Sequence, residues 1–364
     1  MGKAYTKKYV TILLVFLLIF VSFIPRSTEV INGNFLFLLD QGRDYMAVKN
    51  IVVDHKPTLI GAEIGYGVAG FQGIFHGPFY FYLLSIPFVL FDGDPYGGIL
   101  LMFIFGILTI AMSFIFVKRI LGIFGGILMA LLVAVSPPII AQSRFIWSPH
   151  PSSFFILLAF YFTYLISPKK YIYIFLAALS SGFIYNFEMA IVVPMCIGLL
   201  IYIVFILRLR QLKHYLFLIG GFITAFSPLI LFEFRHGLNA LKGFVGYFTP
   251  HQTGISFQTD ELVQNIGWFF YNFSDSFPKQ TLFPYILIFF VSLVAVFLFG
   301  LKWKRADVKP FLLYLLTLVG LTFITHSFIR THIFEYYLIH LNFVYLFLFS
   351  YALIASYAKN QIRF

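Results

Sequence analysis

The sequence predicts an all-α polytopic membrane protein of about ten transmembrane helices, with a long first outer loop that carries interfacial helices. Three observations predict it. Of 364 residues, 60% are hydrophobic and only 11% charged, a mixture whose natural solvent is lipid. Apolar runs of about the 20 residues needed to cross a bilayer recur along the chain. Lys and Arg are also divided between alternate loops in the way that orients membrane proteins.

The first run, 10–24 (VTILLVFLLIFVSFI), follows Lys3, Lys7 and Lys8. A secretory signal has the same layout, but this run ends in FIPRS without a small-x-small cleavage site, so we read it as an uncleaved first span over 9–25. Further spans are predicted near 97–117, 121–141, 152–166, 171–187, 189–207, 215–234, 282–301, 310–328 and 337–356. Residues 79–91 (FYFYLLSIPFVLF) are apolar but short, and contain Pro87. A crossing there would put Lys118 and Arg119 outside and invert every later loop, so this piece is placed as an interfacial or re-entrant helix. With no internal repeat and no soluble insert, 1–364 reads as one transmembrane domain with outer loops 26–96 and 235–281.

Charge follows from this topology. The inner loops hold 16 of 25 basic residues against one acid, Asp307, while the outer side holds nine against 13, giving +15 inside and −4 outside. The net charge of +11 is therefore a positive-inside signature in a multi-pass plasma-membrane protein with both termini cytoplasmic. No basic patch is left for nucleic acid. The single cysteine, Cys196, lies in an apolar run, which excludes intrachain disulfides and Cys-based metal sites.

The outer acids are not required by topology, since Lys and Arg set it. Glu29, Asp54, Asp260, Glu261 and Asp275 read as solvated loop residues. Thr259 is expected to cap an amphipathic helix from Asp260, with Leu262, Ile266, Phe269, Phe270 and Phe273 facing the membrane.

Four groups carry candidate chemistry. In Asp40-Gln41-Gly42-Arg43-Asp44-Tyr45, two carboxylates and a guanidinium fall within one turn at the membrane surface. A carboxylate there suits proton abstraction or a divalent cation, and Arg43 suits a phosphate; the plain alternative is a helix start with Asp40 as N-cap. In His76-Gly77-Pro78-Phe79-Tyr80-Phe81-Tyr82, with Glu63 upstream, the Gly-Pro turn aims an imidazole at the outer face. At span ends stand Arg144, Trp147 and His150, then Glu188, then Glu233, Arg235 and His236. An ionised group at mid-depth costs roughly 2.5–3.5 kcal/mol, so such residues line a wet cavity or snorkel, and snorkelling is the simpler expectation for Arg144. Last come His326 and the stretch Arg330-Thr331-His332-Ile333-Phe334-Glu335-Tyr336-Tyr337, a set fit to clamp an anionic headgroup or to form an aromatic belt.

The order and shared face of three motifs resemble the GT-C superfamily of membrane glycosyltransferases, particularly the branch of protein O-mannosyltransferases and the lipid A aminoarabinose transferase. They are the acidic motif from Asp40 to Asp44, the stretch HGPFYFYLL at 76–84 closing the first outer loop, and FEFRHG at the end of a later span. The match is by motif over 1–165 and by topology beyond. The resemblance implies an inverting transfer of a sugar from a polyprenyl-phosphate donor, on the outer face, to a glycan, lipid or protein acceptor. It places Asp40 at the family's catalytic aspartate, Asp44 and Glu63 as further acidic candidates, and His76 near the donor phosphate. Arg43, Tyr80, His150, Glu188, Arg235, Arg330 and His332 complete the candidate substrate-binding set, and Asp40 is the candidate ligand should a divalent cation serve as cofactor. Two positions depart from the family pattern: Gln41 stands where an acid is usual, and Gly77 where a proline is. A transporter or flippase of lipid-linked or anionic substrates is the competing class, and a non-catalytic assembly subunit a third; mid-span charges or inverted repeats would favour the former, but His340 is the main mid-span polar residue.

Overall fold

The computed structural model describes residues 18, 20–64, 73–238, 241–242, 259–277, 308–327 and 333–361. In chain order the helices are α1 (Thr28–Asn32), α2 (Leu39–Val52), α3 (Phe79–Leu90), α4 (Tyr96–Val135), α5 (Pro137–Gln142) and α6 (Ser152–Leu165). They continue with α7 (Tyr171–Phe183), α8 (Met189–Ile201), α9 (Leu212–His236), α10 (Thr259–Asp275), α11 (Lys309–Ser327) and α12 (Ile339–Gln361). Among the described residues, five segments are long and apolar enough to cross a membrane: Tyr96–Val135, Met189–Ile206, Leu212–His236, Lys309–Ser327 and Glu335–Ala355. The chain is an integral membrane protein with an all-α polytopic fold. Most of the expected first span and all of the expected span at 282–301 lie outside the described residues.

Two spans read separately from the sequence, 97–117 and 121–141, are the arms of α4, broken at Gly122 (φ 78°, ψ −176°). Only glycine takes such a backbone without a Cβ penalty. The arms meet closely, since a Cβ on Gly126 would lie 3.0 Å from the Phe114 carbonyl and 2.8 Å from the Lys118 Cβ. Lys118 and Arg119 sit at this reversal, so the inner loop they were expected to mark is a bend inside one helical hairpin.

The second arm ends at Ser136-Pro137-Pro138, and this ending explains a buried cation. Neither proline has an N–H to return to the carbonyl four residues back, which orphans Val133 and Ala134. Arg26, fully buried, donates from Nη2 to the Val133 carbonyl (3.1 Å) and from Nη1 to the Ala134 carbonyl (2.7 Å). The guanidinium thus replaces two hydrogen bonds that the prolines remove, and ties the end of the first span to α4. Nearby, Glu29 is no solvated loop acid: it takes a charge-assisted pair from Arg144 (2.6 Å), which holds that arginine in place instead of letting it snorkel.

Packing follows side-chain size. Phe116 of α4, Phe311 of α11 and Phe347 of α12 meet with ring centroids 5.7–5.8 Å apart. The helices α7 and α9 approach through small residues, Gly182 against Ala225 and Gly221 against Ala178, as is usual where lipid removes the hydrophobic drive between helices. The amphipathic helix at 259–275 is present, but Phe269 and Phe273 do not face the membrane: they are buried against Phe323 of α11 and Tyr345 of α12. Helix α3 buries Tyr80, Phe81 and Leu84 while Ile86, Val89 and Leu90 stay exposed, the one-sided pattern of an interfacial or re-entrant piece.

Candidate active site

The site is built on the first turn of α2. Chain 33–38 is irregular and the helix begins at Leu39. Gln41 fixes this entry: its Oε1 accepts the Leu38 N–H (2.8 Å) and its Nε2 donates to the Ile146 carbonyl (2.7 Å). The second bond needs an amide donor. That is why Gln41 departs from an acid here; it fastens α2 to the loop 143–151 rather than facing substrate.

The three-residue spacing from Asp40 to Arg43 brings both to one face. The Arg43 Nη1 meets Asp40 Oδ1 at 3.0 Å, while Nε and Nη2 meet Asp44 Oδ1 at 2.9 and 2.7 Å. The two acids are not equivalent. The Asp44 side chain is 2% exposed and that of Asp40 27%. Burial raises the Asp44 carboxyl to about 6, outweighing the attraction of Arg43. Asp40 lies at the helix start, where backbone N–H groups favour negative charge, and is open enough to meet a ligand. It is not the N-cap, which is Leu38.

His76 is held in a short antiparallel ladder: the Gly61 N–H donates to its carbonyl (2.7 Å) and its own N–H to Ala62 (2.9 Å). Burial lowers the imidazole to about 4, with the Tyr185 carbonyl opposing and the Arg43 charge reinforcing. His76 is therefore neutral at physiological pH, and its Nδ1 is sealed from solvent with no partner in the protein. The Tyr80 hydroxyl is likewise buried without a partner, within electrostatic range of Asp40, Arg43 and Asp44. Gly77 is a glycine for reasons of space. A Cβ there would overlap Asn186 Oδ1, and that oxygen accepts the Phe79 N–H (3.1 Å) at the start of α3.

Glu188 caps α8, accepting the Ala190 N–H (3.0 Å), and its burial raises the carboxyl to about 8. It is a neutral acid at pH 7. Tyr336 is within electrostatic range of both Glu188 and Asp40, so the site gathers α2, α3, the α8 N-terminus and the turn before α12. Its ring also packs on Trp147 (4.5 Å), which gives this tyrosine a place at the site beyond an aromatic belt.

No family model and no curated protein matches the chain. Solved structures do. The crystal structure of ArnT from Cupriavidus metallidurans bound to undecaprenyl phosphate superposes with TM-score 0.64 at 13% identity, over 94% of this chain and 59% of that one. The apo ArnT structure gives 0.59 at 14%, over 98% and 62%. The chain shares the fold of these ArnT structures. It spans about three fifths of the ArnT chain.

Within this fold the remaining candidates separate. Glu63 accepts the Gly73 N–H (2.8 Å) and pairs by a bridge with Phe75, so its carboxylate closes the loop that presents His76. Arg235 is exposed at the end of α9. Arg330 and His332 lie outside the described residues. His150 sits in the loop that Gln41 fastens, and its burial lowers the imidazole to about 4. Among the described residues no group of three His, Cys, Asp or Glu could hold a metal ion, and Arg43 lies between the two carboxylates where a cation would have to sit. The residues present therefore do not fit a divalent cation. The sequence reading missed Arg26 and Asn186, and gave Gln41 no structural role. A Pro-Pro pair ending one span with an arginine at the end of another was a usable signal for the first; the other two depend on which loops meet.

Proposed function

We propose that the chain is an inverting glycosyltransferase that moves a sugar from a polyprenyl-phosphate-linked donor to a glycan, lipid or protein acceptor on the outer face of the plasma membrane. The observation that carries this is the Asp40–Arg43–Asp44 cluster beside two partnerless polar atoms, His76 Nδ1 and the Tyr80 hydroxyl, in a GT-C fold. Positive-inside orientation puts this cluster on the outer side, and undecaprenyl phosphate bound to a protein of the same fold supports the class of donor.

Each group has a separate task in this reading. Asp40, the more open carboxyl, takes the proton of an acceptor hydroxyl as its oxygen attacks the anomeric carbon. The bond from that carbon to the phosphate oxygen breaks, and the electron pair leaves with polyprenyl phosphate. The Tyr80 phenol donates to a phosphate oxygen as charge develops, while the neutral His76 ring, its N–H committed to the Tyr185 carbonyl, offers Nδ1 as an acceptor for a hydroxyl. Asp44, buried, holds the Arg43 guanidinium against Asp40 and so fixes the direction of the base. No step runs through a metal ion.

The test is turnover in liposomes with a panel of polyprenyl-phosphate sugars and a labelled acceptor extract. Asp40→Asn is expected to lower turnover by about 10²–10⁴-fold, the range for loss of a general base. Equal turnover by wild type and variant would remove Asp40 from the chemistry. Lipid moved between leaflets without loss of sugar would establish transport instead.

A further inference from the structure

A concavity lies between the 143–151 loop and the start of α12. Its volume is about 110 Å³, room for several waters, and its lining includes Gln142, Trp147, His150, Tyr336 and Asn342. Two of these are chemically prepared. Asn342 is 1% exposed, and its amide meets Ser276 Oγ (3.0 Å) at one end only, the Ser276 proton being shared with the Asn272 carbonyl (2.9 Å). An amide with one polar end unmet inside a membrane helix is costly, so a ligand or water is needed to meet it.

His150 provides the complement. Its Nδ1 is 2.5 Å from the Phe145 carbonyl, which can only accept, so the proton sits on Nδ1 and the neutral ring offers Nε2 as acceptor. The rings of Trp147 and Tyr336 meet edge to face, 4.5 Å apart at 69°. A water-sized recess shares Gln142 and His150 with this pocket and adds Ser143 and Ser153 to its lining. Among the described residues the lining contains no lysine or arginine, and Glu335 is its one carboxylate. Neutral donors and acceptors beside aromatic faces fit a ring with hydroxyls on its edge and C–H bonds on its faces, and do not fit a phosphate. Tyr336 belongs to both places, since it lines this pocket and lies in electrostatic range of Asp40.

We propose that this pocket holds the sugar to be transferred, as a neutral monosaccharide ring, with Asn342 and His150 reading its hydroxyls and Trp147 and Tyr336 packing on its faces. This rests on the glycosyltransferase reading above, and deepens it by separating a sugar site from the phosphate site at Tyr80.

The test uses the full chain in nanodiscs with two kinds of probe. Methyl glycosides of several hexoses and pentoses are titrated by saturation-transfer NMR, and undecaprenyl phosphate without sugar is titrated by thermal shift. Wild type is expected to bind at least one glycoside. Asn342→Leu and, at the pocket mouth, Trp147→Ala are expected to weaken it fivefold or more while shifting with undecaprenyl phosphate as wild type does. Absence of glycoside binding by wild type, unchanged glycoside binding by both variants, or equal loss of both probes by both variants would overturn the proposal. Glycoside binding with the expected variant pattern, but no response of wild type to undecaprenyl phosphate, would keep the sugar pocket and sink the lipid-donor reading.

Discussion

Gly77→Ala puts one methyl group where α3 enters the site, and its cost can be worked from the contacts. The new Cβ would overlap Asn186 Oδ1 and lie 2.5 Å from Tyr185 Cζ, a ring with no exposure and no room to yield. Asn186 must turn away and release the Phe79 N–H, which removes a helix cap worth about 0.5–2 kcal/mol. Overpacking against Tyr185 adds about 1–3 kcal/mol. The sum is roughly 1.5–5 kcal/mol, with His76 and Tyr80 displaced on either side. Reversible unfolding in mixed micelles measures the stability, and turnover in liposomes the displacement. A double-mutant cycle with Asn186→Ala isolates the collision, and a coupling of about 1 kcal/mol or more is expected because the two groups touch. A cost below about 0.5 kcal/mol, or strictly additive mutants, would refute the claim that Gly77 is required by the close approach of Asn186.

Three further outcomes follow from the same geometry. Gln41→Glu keeps the bond from Leu38 but removes the donor to Ile146, leaving a carboxylate facing a carbonyl; unfolding should become easier by about 1–3 kcal/mol while Gln41→Met costs less, and an equal or larger loss in Gln41→Met would contradict the donor role. Glu188 has its carboxyl raised from 4.5 to about 8, so the stability it adds is complete below pH 4.5 and is lost as pH rises to about 8; Glu188→Gln should flatten that decline in a pH series of unfolding midpoints, and an unchanged slope would show that Glu188 is not buried as a neutral acid. Adjacent glycines of α9 should respond with opposite sign, Gly220→Ala stabilising by up to about 1 kcal/mol because its Cβ meets Phe175 at an ordinary 3.8 Å, and Gly221→Ala destabilising by about 1–3 kcal/mol because its Cβ would meet the Phe175 carbonyl at 2.5 Å. Unfolding of the two variants side by side decides it, and a common sign would refute the packing of α7 on α9.

Much of the site was readable because its main motif is local. Asp40, Arg43 and Asp44 fall within one helical turn, so spacing alone predicts that they meet. Which acid is buried was not readable, since the cover over Asp44 is assembled by packing. The opposite case is Glu63, close in sequence to His76 yet used to close its loop. Trp147, Glu188 and Tyr336 were each legible as polar or aromatic residues at span ends, but their convergence near Asp40 crosses nearly 300 residues of chain, and no local pattern encodes it.

By itself the sequence determined the solvent and the class of fold, because apolar run length and composition are summed properties that do not depend on which helices touch. It also determined the local chemistry of the first outer loop. Only the tertiary structure decided the rest: that Arg26 serves carbonyls left open by Pro137 and Pro138, that Gln41 is a fastener, that Gly77 makes room for Asn186, and that Asn342 lines a pocket with one end of its amide unmet. Each of these is a satisfied or unsatisfied hydrogen bond, or a close contact, between segments far apart in the chain. Such pairings are fixed by helix packing, and packing is not written in any single segment.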